Sequence, residues 1–346
     1  MKVLLIGEFS SVHNNLKRGL VNKGHEVILA ANSDGFKNLG FDIAFCPYKG
    51  SSIFSAIRNI INFLSNFRTY FFNDVVQFIN PLTVPFYFQK TGLLKLMFNL
   101  NKRTVYYACG TDIDFIEARS QFRYFPFDDC RHKEFPHYKN KHRIAHEYFM
   151  DRIDMVIPSM YTYSFRKRSE NQSLPILLPG SFVTKKDDLK NGSQLVILFG
   201  ITRRNFKGAD YILCALRRIE KEFKSLVKVH IVEKIDFNDY LKELDTADIL
   251  IDQCKSYDYG MNAILAMERG AIVLSGAESE ALQYANMETS PVINIRPCSD
   301  QIYSEIKKLV LLSREERYKL KLKTLKHCQR YHNNEKITDK FIEIYK

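Results

Sequence analysis

A short basic segment in the second half of the chain has the composition of an anion-binding turn. Gly200 is followed by Arg203, Arg204 and Lys207 before the next glycine, Gly208. A strand-to-helix turn of this kind can present cations and the N–H groups of a helix to one anion. The segment therefore predicts a diphosphate site, although a basic surface loop before a helix would have the same composition.

A second segment, YDYGMNAILAMERG at residues 257–270, has the features of a helix that begins beside a ligand. Gly260 allows close approach of the backbone, and the amides of Met261 and Asn262 follow at the positive end of a predicted helix. Both segments come after predicted strands of one sheet. Parallel sheets bind nucleotides at the carboxyl ends of their strands, so the two turns together predict a phosphate-binding site.

The elements that would position these residues alternate along the whole chain. Apolar runs of strand length alternate with helical patterns, which predicts an α/β fold with parallel sheets. In the first half, strands are predicted at 2–6, 25–31, 43–46, 75–79, 104–109 and 155–158, and helices at 14–23, 54–71, 85–99 and 141–152. In the second half, strands are predicted at 194–199, 228–232, 249–252, 271–274 and 292–295, and helices at 209–223, 238–244 and 261–269.

A charged, glycine-containing stretch at residues 184–193 lacks an apolar period and indicates an interdomain linker. The predicted domains therefore span residues 1–183 and 184–330. Residues 331–346 are predicted to form a C-terminal helix that packs back toward the first domain.

The bulk composition narrows the class of partner. The 346 residues carry a formal net charge of +12, which favours nucleic acid, a phosphorylated small molecule or an anionic lipid surface. No nucleic-acid-binding signature is present, so nucleic acid is not predicted as a partner.

Seven scattered cysteines without metal-ligand spacing indicate a reducing, cytoplasmic compartment. No apolar run reaches the roughly 18 to 20 residues of a membrane-spanning helix, and MKVLLIGE is predicted to be a first strand rather than a signal peptide.

Five segments, in order along nearly the whole chain, resemble the family 4 (group 1) glycosyltransferases of the GT-B fold. The resemblance is closest to a bacterial branch that builds surface polysaccharides. The segments are MKVLLIGEFSSVHNNLKRGLVNKGHEV, DVVQFINP, YYACGTD, FGITRRNFKGADYIL and ADILIDQCKSYDYGMNAILAMERGAIVLSGAE. The resemblance implies two Rossmann-like domains that face each other across a cleft, the first holding the acceptor and the second the nucleotide sugar.

The resemblance also implies roles for the basic turn and for the helix that follows Gly260. Arg203 and Lys207 fall where the family clamps the donor diphosphate, and Arg204 is an alternative because the spacing is one residue shorter than the commonest form. The amides of residues 260–262 fall where the family caps the distal phosphate. Gly200, at the head of the turn, belongs to the same donor-binding set.

The chain departs from the family at its paired glutamates. Tyr257 and Leu265 occupy the positions where the family's first glutamate meets the donor sugar and its second meets the ribose. Leucine has no polar atom and cannot accept a hydrogen bond. Either other groups hold the ribose, or nucleotide binding has weakened or been lost. Glu278, just past the next strand, is predicted to lie near the cleft and is counted with the donor-binding residues, whereas Glu268 is predicted to lie on a solvated helix face.

In the first domain, the resemblance places contacts to acceptor or sugar at Gly7, His13, Asn80 and Gly110. His13 either packs at a helix terminus or contacts the sugar or acceptor, and Asn80 has the same two interpretations. Asp112 either hydrogen-bonds a sugar hydroxyl or assists acceptor deprotonation, which would make it catalytic. Its alternative is to cap the helix that follows.

Two further segments bear on metals and membranes. The histidine-rich segment 130–147 has only His142 and His146 at helix-face spacing, and no suitable carboxylate completes a set, so no metal site is predicted. Its positive charge could instead face an anionic acceptor or lipid headgroups.

The segment IFSAIRNIINFLSNFRTYFF at 53–72 is rich in Phe and Ile and is either a packed core helix or an amphipathic surface that docks on a membrane.

The sequence thus predicts a cytoplasmic, membrane-peripheral glycosyltransferase that moves a sugar from a nucleotide-diphosphate donor to a glycan or lipid-linked acceptor. The resemblance implies retention of configuration and no metal or other cofactor. Two alternatives stay open. A nucleotide-sugar 2-epimerase shares the architecture but would be expected to carry acids and histidines in its second domain that are not evident here, and a non-catalytic nucleotide- or glycan-binding protein would explain the missing glutamates.

Overall fold

The structure is a computed structural model that describes residues 1–32, 34–48, 52–130, 139–166, 171–181 and 194–346. The chain divides into two units, the first formed by Met1–Arg119, His137–Pro179 and Asn334–Lys346 and the second by Ser120–Pro136 and Gly180–Asn333. The predicted linker at 184–193 and the predicted domain boundary at its start lie outside the described residues. The last helix of the chain belongs to the first unit.

The sheet of the first unit is parallel throughout. Its strands are β1 (Lys2–Ile6), β2 (Glu26–Ala31), β3 (Ile43–Ala44), β4 (Val75–Phe78), β5 (Arg103–Ala108) and β6 (Met155–Pro158). They lie in the order β3-β2-β1-β4-β5-β6. Residues 3–6 of β1 are buried, as expected for a parallel strand covered on both faces. The strand order reverses between β1 and β4, which is the switch point at which doubly wound sheets bind ligands.

The helices of this unit differ from the prediction in two places. They are α1 (Val12–Asn22), α2 (Ile53–Ser65), α3 (Phe67–Tyr70), α4 (Phe86–Lys90), α5 (Leu93–Leu100), α6 (Ile113–Glu117) and α7 (Asn140–Met150). The single helices predicted at 54–71 and 85–99 are each a pair of helices. The first breaks at Asn66, and the second breaks at Gly92, whose φ of +76° is a left-handed conformation that glycine adopts at no steric cost.

The second unit contains a five-stranded parallel sheet. Its strands are β7 (Leu195–Ile201), β8 (Val227–Glu233), β9 (Ile249–Ile251), β10 (Ile272–Ser275) and β11 (Ile293–Asn294), in the order β11-β10-β9-β7-β8. If β7 to β11 are numbered 1 to 5 and the sheet is read from the β8 edge, the strand order is 2-1-3-4-5. The switch point of this order lies between β7 and β9. Gly200 lies inside β7 rather than in the turn after it.

The helices of the second unit follow its strands in alternation. They are α8 (Arg204–Lys207), α9 (Ala209–Glu222), α10 (Phe237–Leu244), α11 (Met261–Met267), α12 (Ser279–Tyr284), α13 (Ser299–Leu311) and α14 (Arg314–Tyr331). The core beneath α9 and α13 is aliphatic and includes Ile197, Ile212 and Ile302. The turn after β7 leads into α8 and the turn after β9 leads into α11, so both predicted phosphate-binding segments flank the switch point.

The final helix, α15 (Asn334–Tyr345), returns to the first unit and packs against α1. Gly19 of α1 makes this approach possible, because a Cβ added there would overlap side-chain atoms of Asn334 and Thr338. The prediction of two parallel-sheet α/β domains is confirmed. No helix within the described ranges is both long enough and apolar enough to cross a bilayer.

Candidate functional site

The two predicted phosphate-binding segments meet at the carboxylate of Asp252, which follows β9 and is 2% exposed. Its Oδ1 accepts hydrogen bonds from Lys207 Nζ at 3.2 Å and from Asn262 Nδ2 at 2.8 Å. Its Oδ2 accepts a hydrogen bond from Ser275 Oγ at 3.2 Å. Side chains from two turns that are far apart in the sequence therefore share one buried acid at the switch point.

Neighbouring groups fix the orientation of both donors. Lys207 Nζ also donates to the carbonyl oxygen of Gly200 at 2.8 Å, and Tyr240 OH donates to Asn262 Oδ1 at 2.5 Å. The Tyr240 ring lies against Gly200, where an added Cβ would come within 2.8 Å of it. Burial raises the pKa of Tyr240, so its hydroxyl stays a donor. Gly200 thus contributes a carbonyl oxygen and the space for this ring.

The two arginines of the basic turn have different surroundings. The Arg203 guanidinium lies 3.5 Å from the centre of the Phe206 ring, in a cation–π contact. Arg204 forms an ion pair of 2.7 Å with Asp210, and both side chains are largely exposed. Among the three basic residues of the turn, Lys207 is the buried one and is the one that contacts the Asp252 network.

Gly260 precedes α11 in an extended conformation, and the position of a Cβ on it borders open space. The amides of Met261 and Asn262 are among the first four of the helix, which have no acceptor within the helix itself. An anion that approached Gly260 would therefore meet amides that have no acceptor within α11, near the Lys207–Asp252 pair.

Tyr257 and Glu278 lie together, against the segment that begins at Ser120. The Tyr257 hydroxyl accepts hydrogen bonds from Arg123 N and Nε at 2.8 and 3.0 Å. The Glu278 carboxylate accepts five hydrogen bonds at 2.7–2.9 Å; the donors are Arg123, Tyr124, Asn294 and two nitrogens of Arg296.

The electrostatics of Glu278 follow from these partners. Burial opposes its ionisation, but hydrogen bonds from Arg296, Asn294 and Tyr124 outweigh burial and lower its pKa to about 2. The carboxylate is therefore ionised at neutral pH and occupied by protein donors. Its evident role is to hold Arg123 and Arg296 in place, and a direct contact with a sugar stays a prediction.

Two further residues, Leu265 of α11 and Glu268 directly after that helix, are both buried. Leu265 occupies the second glutamate position. Glu268 was predicted to be solvated, and this is wrong: it is 6% exposed and accepts a hydrogen bond from Ser181 Oγ at 2.6 Å. The segment at 180–181 covers that face of α11, which the periodicity of the helix alone could not indicate. Burial raises the pKa of Glu268 to about 7.

In the first unit, His13 is fully buried and uses both ring nitrogens. Nδ1 lies 2.6 Å from the carbonyl oxygen of Gly7, and Nε2 lies 3.2 Å from Gln77 Nε2. Gln77 in turn accepts a hydrogen bond from Tyr345 OH at 2.7 Å. Burial lowers the pKa of His13 to about 4, so the ring is neutral, with Nδ1 donating and Nε2 accepting. His13 thus links the loop after β1 to β4 and, through Gln77, to α15.

Asn80, Gly7 and Gly110 organise the loops at the carboxyl edge of this sheet. Asn80 Nδ2 donates to the carbonyl oxygens of Cys109 and Thr111, each at 3.2 Å. Gly7 and Gly110 have φ values of +84° and +77°, and an added Cβ would come within 2.7 Å of Ile79 and 2.8 Å of Phe9 respectively. These three residues shape the loops, and their contact with an acceptor stays a prediction.

Asp112 lies in a buried ionic cluster. Its Oδ1 accepts the amide of Phe115 at 2.7 Å, so the interpretation as a helix cap is confirmed. Its Oδ2 accepts a hydrogen bond from Tyr106 OH at 2.5 Å and pairs with Arg166, whose side chain is fully buried. A role in acceptor deprotonation would require release from these partners, and it stays a prediction.

Three residues that hold the site together are not predicted from the sequence: Asp252, Arg123 and Arg296. Asp252 ends the run ILID, and a carboxylate at a strand end carried no signal until β7 and β9 were known to be neighbours. Arg123 lies 155 residues from Glu278, beyond the reach of any local pattern.

Within the described ranges, no group of three or more His, Cys, Asp or Glu side chains could hold a metal ion. His132 and His137 of the histidine-rich segment lie outside those ranges. His146 Nε2 lies 3.2 Å from Asp114 Oδ2 in the Asp112 cluster.

No protein-family model matches the sequence, and no curated protein shows significant sequence similarity to it. Solved structures do match over the full length. A sucrose-phosphate synthase from Thermosynechococcus elongatus gives a TM-score of 0.66 at 13% identity, covering 100% of this chain and 98% of its own. HepE from Anabaena, solved in complex with UDP-glucose, gives 0.65 at 9% identity, covering 99% of both chains.

A UDP-GlcNAc 2-epimerase from Neisseria meningitidis bound to UDP-GlcNAc gives a TM-score of 0.56 at 13% identity, covering 99% of both chains. At these identities the likeness establishes the fold. The chain has the two parallel-sheet domains of GT-B proteins, a fold that serves both glycosyl transfer and epimerisation of nucleotide sugars.

Proposed function

We propose that this protein is an enzyme acting on nucleotide-diphosphate sugars, and specifically a glycosyltransferase. The observation that carries the proposal is the sharing of Asp252 by Lys207 and Asn262 at the switch point between β7 and β9. Sheets of this strand order bind nucleotides at that point. The full-length likeness to HepE in complex with UDP-glucose supports the same ligand class.

In the proposed complex, the donor diphosphate lies in front of Gly260, against the amides of Met261 and Asn262. Lys207 and Arg203 supply positive charge beside it. Asp252 keeps the Lys207 ammonium in a fixed position, so little reorganisation is needed when charge develops on the departing diphosphate. Transfer by this route needs no metal, and retention of configuration is part of the proposal.

Recognition of the sugar and ribose would then depend on the segment after Ser120. We assign Tyr257 and Glu278 a positioning role, since both are engaged by Arg123. The acceptor would be a glycan or a lipid-linked glycan, as in bacterial surface-polysaccharide synthesis, in a cytoplasmic enzyme.

One observation favours transfer over epimerisation. A 2-epimerase would be expected to use histidines in its second domain. The described histidines of the second unit are His230, His327 and His332, and the last two are buried and lie 2.8 and 3.0 Å from the hydroxyl of Tyr259. These two buried histidines therefore belong to an interior network with Tyr259.

Calorimetric titration with a panel of nucleoside diphosphates tests the site. Replacing Arg203 with Gln should weaken binding about tenfold or more, because a charge-assisted hydrogen bond is lost. Lys207→Ala should weaken it further, and a thermal melt separates this from the loss of stability caused by leaving Asp252 without its cation. Lys242→Ala, which removes an exposed charge on α10, is the matched control.

Product analysis with nucleotide sugars then separates glycosyl transfer from epimerisation. Release of nucleoside diphosphate together with a glycosylated acceptor supports transfer. An isomerised nucleotide sugar without release would establish an epimerase instead. Binding that is absent in the wild-type protein, or unchanged in both site variants, would refute the phosphate assignment.

A further inference from the structure

The exposed apolar residues of the described chain are concentrated in one part of the first unit. Nineteen large hydrophobic side chains are exposed, and ten of them lie between Tyr48 and Leu100. Four of the most exposed are Phe54 at 74%, Ile53 at 71%, Phe72 at 65% and Ile61 at 60%. Isolated surface hydrophobics are ordinary, whereas a contiguous group marks an interaction surface.

Helix α2 turns polar as well as apolar residues toward the core and leaves much of its apolar surface outside. Its inner face carries Asn59, which is buried and donates to Tyr48 O and to Tyr87 OH, each at 2.9 Å. Asn62 donates inward to Ala44 O at 3.2 Å. The residues left outside form one stripe: Ile53, Phe54, Ile57, Ile61 and Leu64. At about 100° per residue this stripe spans an arc of about 100°.

The folding of the unit therefore does not explain this stripe, which we call the α2 face. Its hydrophobic side chains contribute little burial to the core, while Phe63 on the inner side stacks on Tyr70 with ring centres 4.2 Å apart. Keeping such a stripe in water is unfavourable, so a partner of apolar character is expected to cover it.

The part of the sequence that contains α2 carries a strong excess of positive charge. Between residues 43 and 111 the sequence contains seven Lys or Arg and a single acid, Asp74, a net charge of +6. Arg58 lies at the border of the stripe on α2, and Arg68 and Lys95 are exposed on α3 and α5. An apolar stripe edged by cations matches the boundary between headgroups and acyl chains of an anionic bilayer.

We propose that the α2 face docks on an anionic lipid bilayer, with the stripe inserted at the headgroup boundary and Arg58, Arg68 and Lys95 on lipid phosphates. A second copy of the chain fits less well, because self-association would place two strongly positive surfaces against each other. The docking is inferred from the exposed α2 face and does not depend on the proposed function. That a lipid-linked acceptor is met at this surface rests on the proposed function.

Flotation of the full-length protein with lipid vesicles tests the docking. The wild-type protein should float with vesicles of equal parts phosphatidylcholine and phosphatidylglycerol, and far less with pure phosphatidylcholine. The double substitution Phe54→Glu, Ile61→Glu should lower the partition coefficient about a hundredfold, since two inserted side chains are lost and two negative charges are added. Arg58→Gln should lower it about fivefold on the anionic vesicles alone.

Leu311→Glu is the matched control, because Leu311 is 63% exposed in the second unit and its replacement should leave flotation unchanged. A thermal melt confirms that the exposed double substitution leaves the fold intact. The proposal is overturned if the wild-type protein does not float, if the double variant floats like the wild type, or if light scattering shows a dimer that only the double variant loses. Calorimetry with nucleoside diphosphates should be the same for all of these variants, so failed docking and a failed proposed function give different results.

Discussion

At the scale of single residues, Glu278 shows how a buried charge can be stabilised by the protein rather than kept for a ligand. Its carboxylate is almost fully buried, yet five donors surround it, and two of its partners are arginines that are about half exposed. Removing one member of a buried charge network leaves the others without compensation. Arg123 and Arg296 can recover part of that cost by turning to water, since both reach the surface.

We therefore expect Glu278→Gln to lower the free energy of unfolding by about 2 kcal/mol at neutral pH. The folded pKa of about 2 lies below the ordinary 4.5. The contribution of Glu278 to stability is thus complete above pH 4.5 and is lost as the pH falls toward 2. Urea unfolding of the wild type and Glu278→Gln across this range should show their difference shrinking with acidity. Glu280→Gln, the more exposed neighbour that also contacts Arg123, should show a much smaller difference.

Glu8 presents the opposite electrostatic situation in the first unit. Its Oε2 accepts two hydrogen bonds from Asn14, at 2.7 and 2.8 Å, whereas Oε1 is buried and no described residue hydrogen-bonds it. Burial raises the pKa of Glu8 to about 7, and the hydrogen bond from the Asn14 amide only partly opposes this. The folded state therefore favours the neutral acid.

Because the folded pKa of Glu8 is raised, stability is greatest below pH 4.5 and falls as the pH rises toward 7. Glu8→Gln removes the ionisation. We expect this variant to match the wild type near pH 4 and to exceed it by about 1–3 kcal/mol at pH 8. Urea midpoints at the two pH values measure the effect, and a variant that is equally or less stable at pH 8 would contradict the raised pKa.

At the scale of elements, the close contact of α15 with α1 depends on the absence of a side chain at Gly19. The apolar face of α15, which includes Ile337 and Phe341, is buried in this contact. The hydroxyl of Tyr345 then reaches Gln77 on β4. The last helix thus completes the core of the first unit, including the hydrogen-bonded chain that contains His13.

Gly19→Leu should destabilise the protein by about 2 kcal/mol, because the new side chain overlaps Asn334 and Thr338. Gly40→Leu is the matched control, since no atom lies within 4 Å of the corresponding Cβ and its φ is not left-handed. Urea unfolding of both variants provides the comparison. Equal midpoints would show that α15 does not pack on α1 as described.

At the scale of the whole molecule, the sequence predicts what depends on local pattern. Apolar alternation located all eleven described strands to within about two residues at each end, and the parallel fold followed from it. Helix breaks at Asn66 and Gly92 were not predicted, because apolar periodicity continues across them. The partners of Asp252 and Glu278 could not be predicted either, since they come from strands and segments that only the strand order brings together. That the two domains face each other across a cleft stays a prediction.

Hydrogen exchange should report on the two units separately. UDP should slow amide exchange at residues 203–207 and 261–262 in the second unit, where the proposed diphosphate site lies. Anionic vesicles should slow exchange in α2 of the first unit. Mass spectrometry of peptides from both regions makes the measurement, and protection by UDP confined to the first unit would contradict the proposed site.

The division of the chain has a consequence for its synthesis on the ribosome. The backbone passes between the two units four times, and the first unit includes both the first residue and the last thirteen. Its first strand is translated early, yet α15, which covers α1, is translated only after the whole of the second unit. The second unit can therefore complete its fold before the first, and a nascent chain that stops short of Asn334 would expose the apolar surface of α1 to chaperones and proteases.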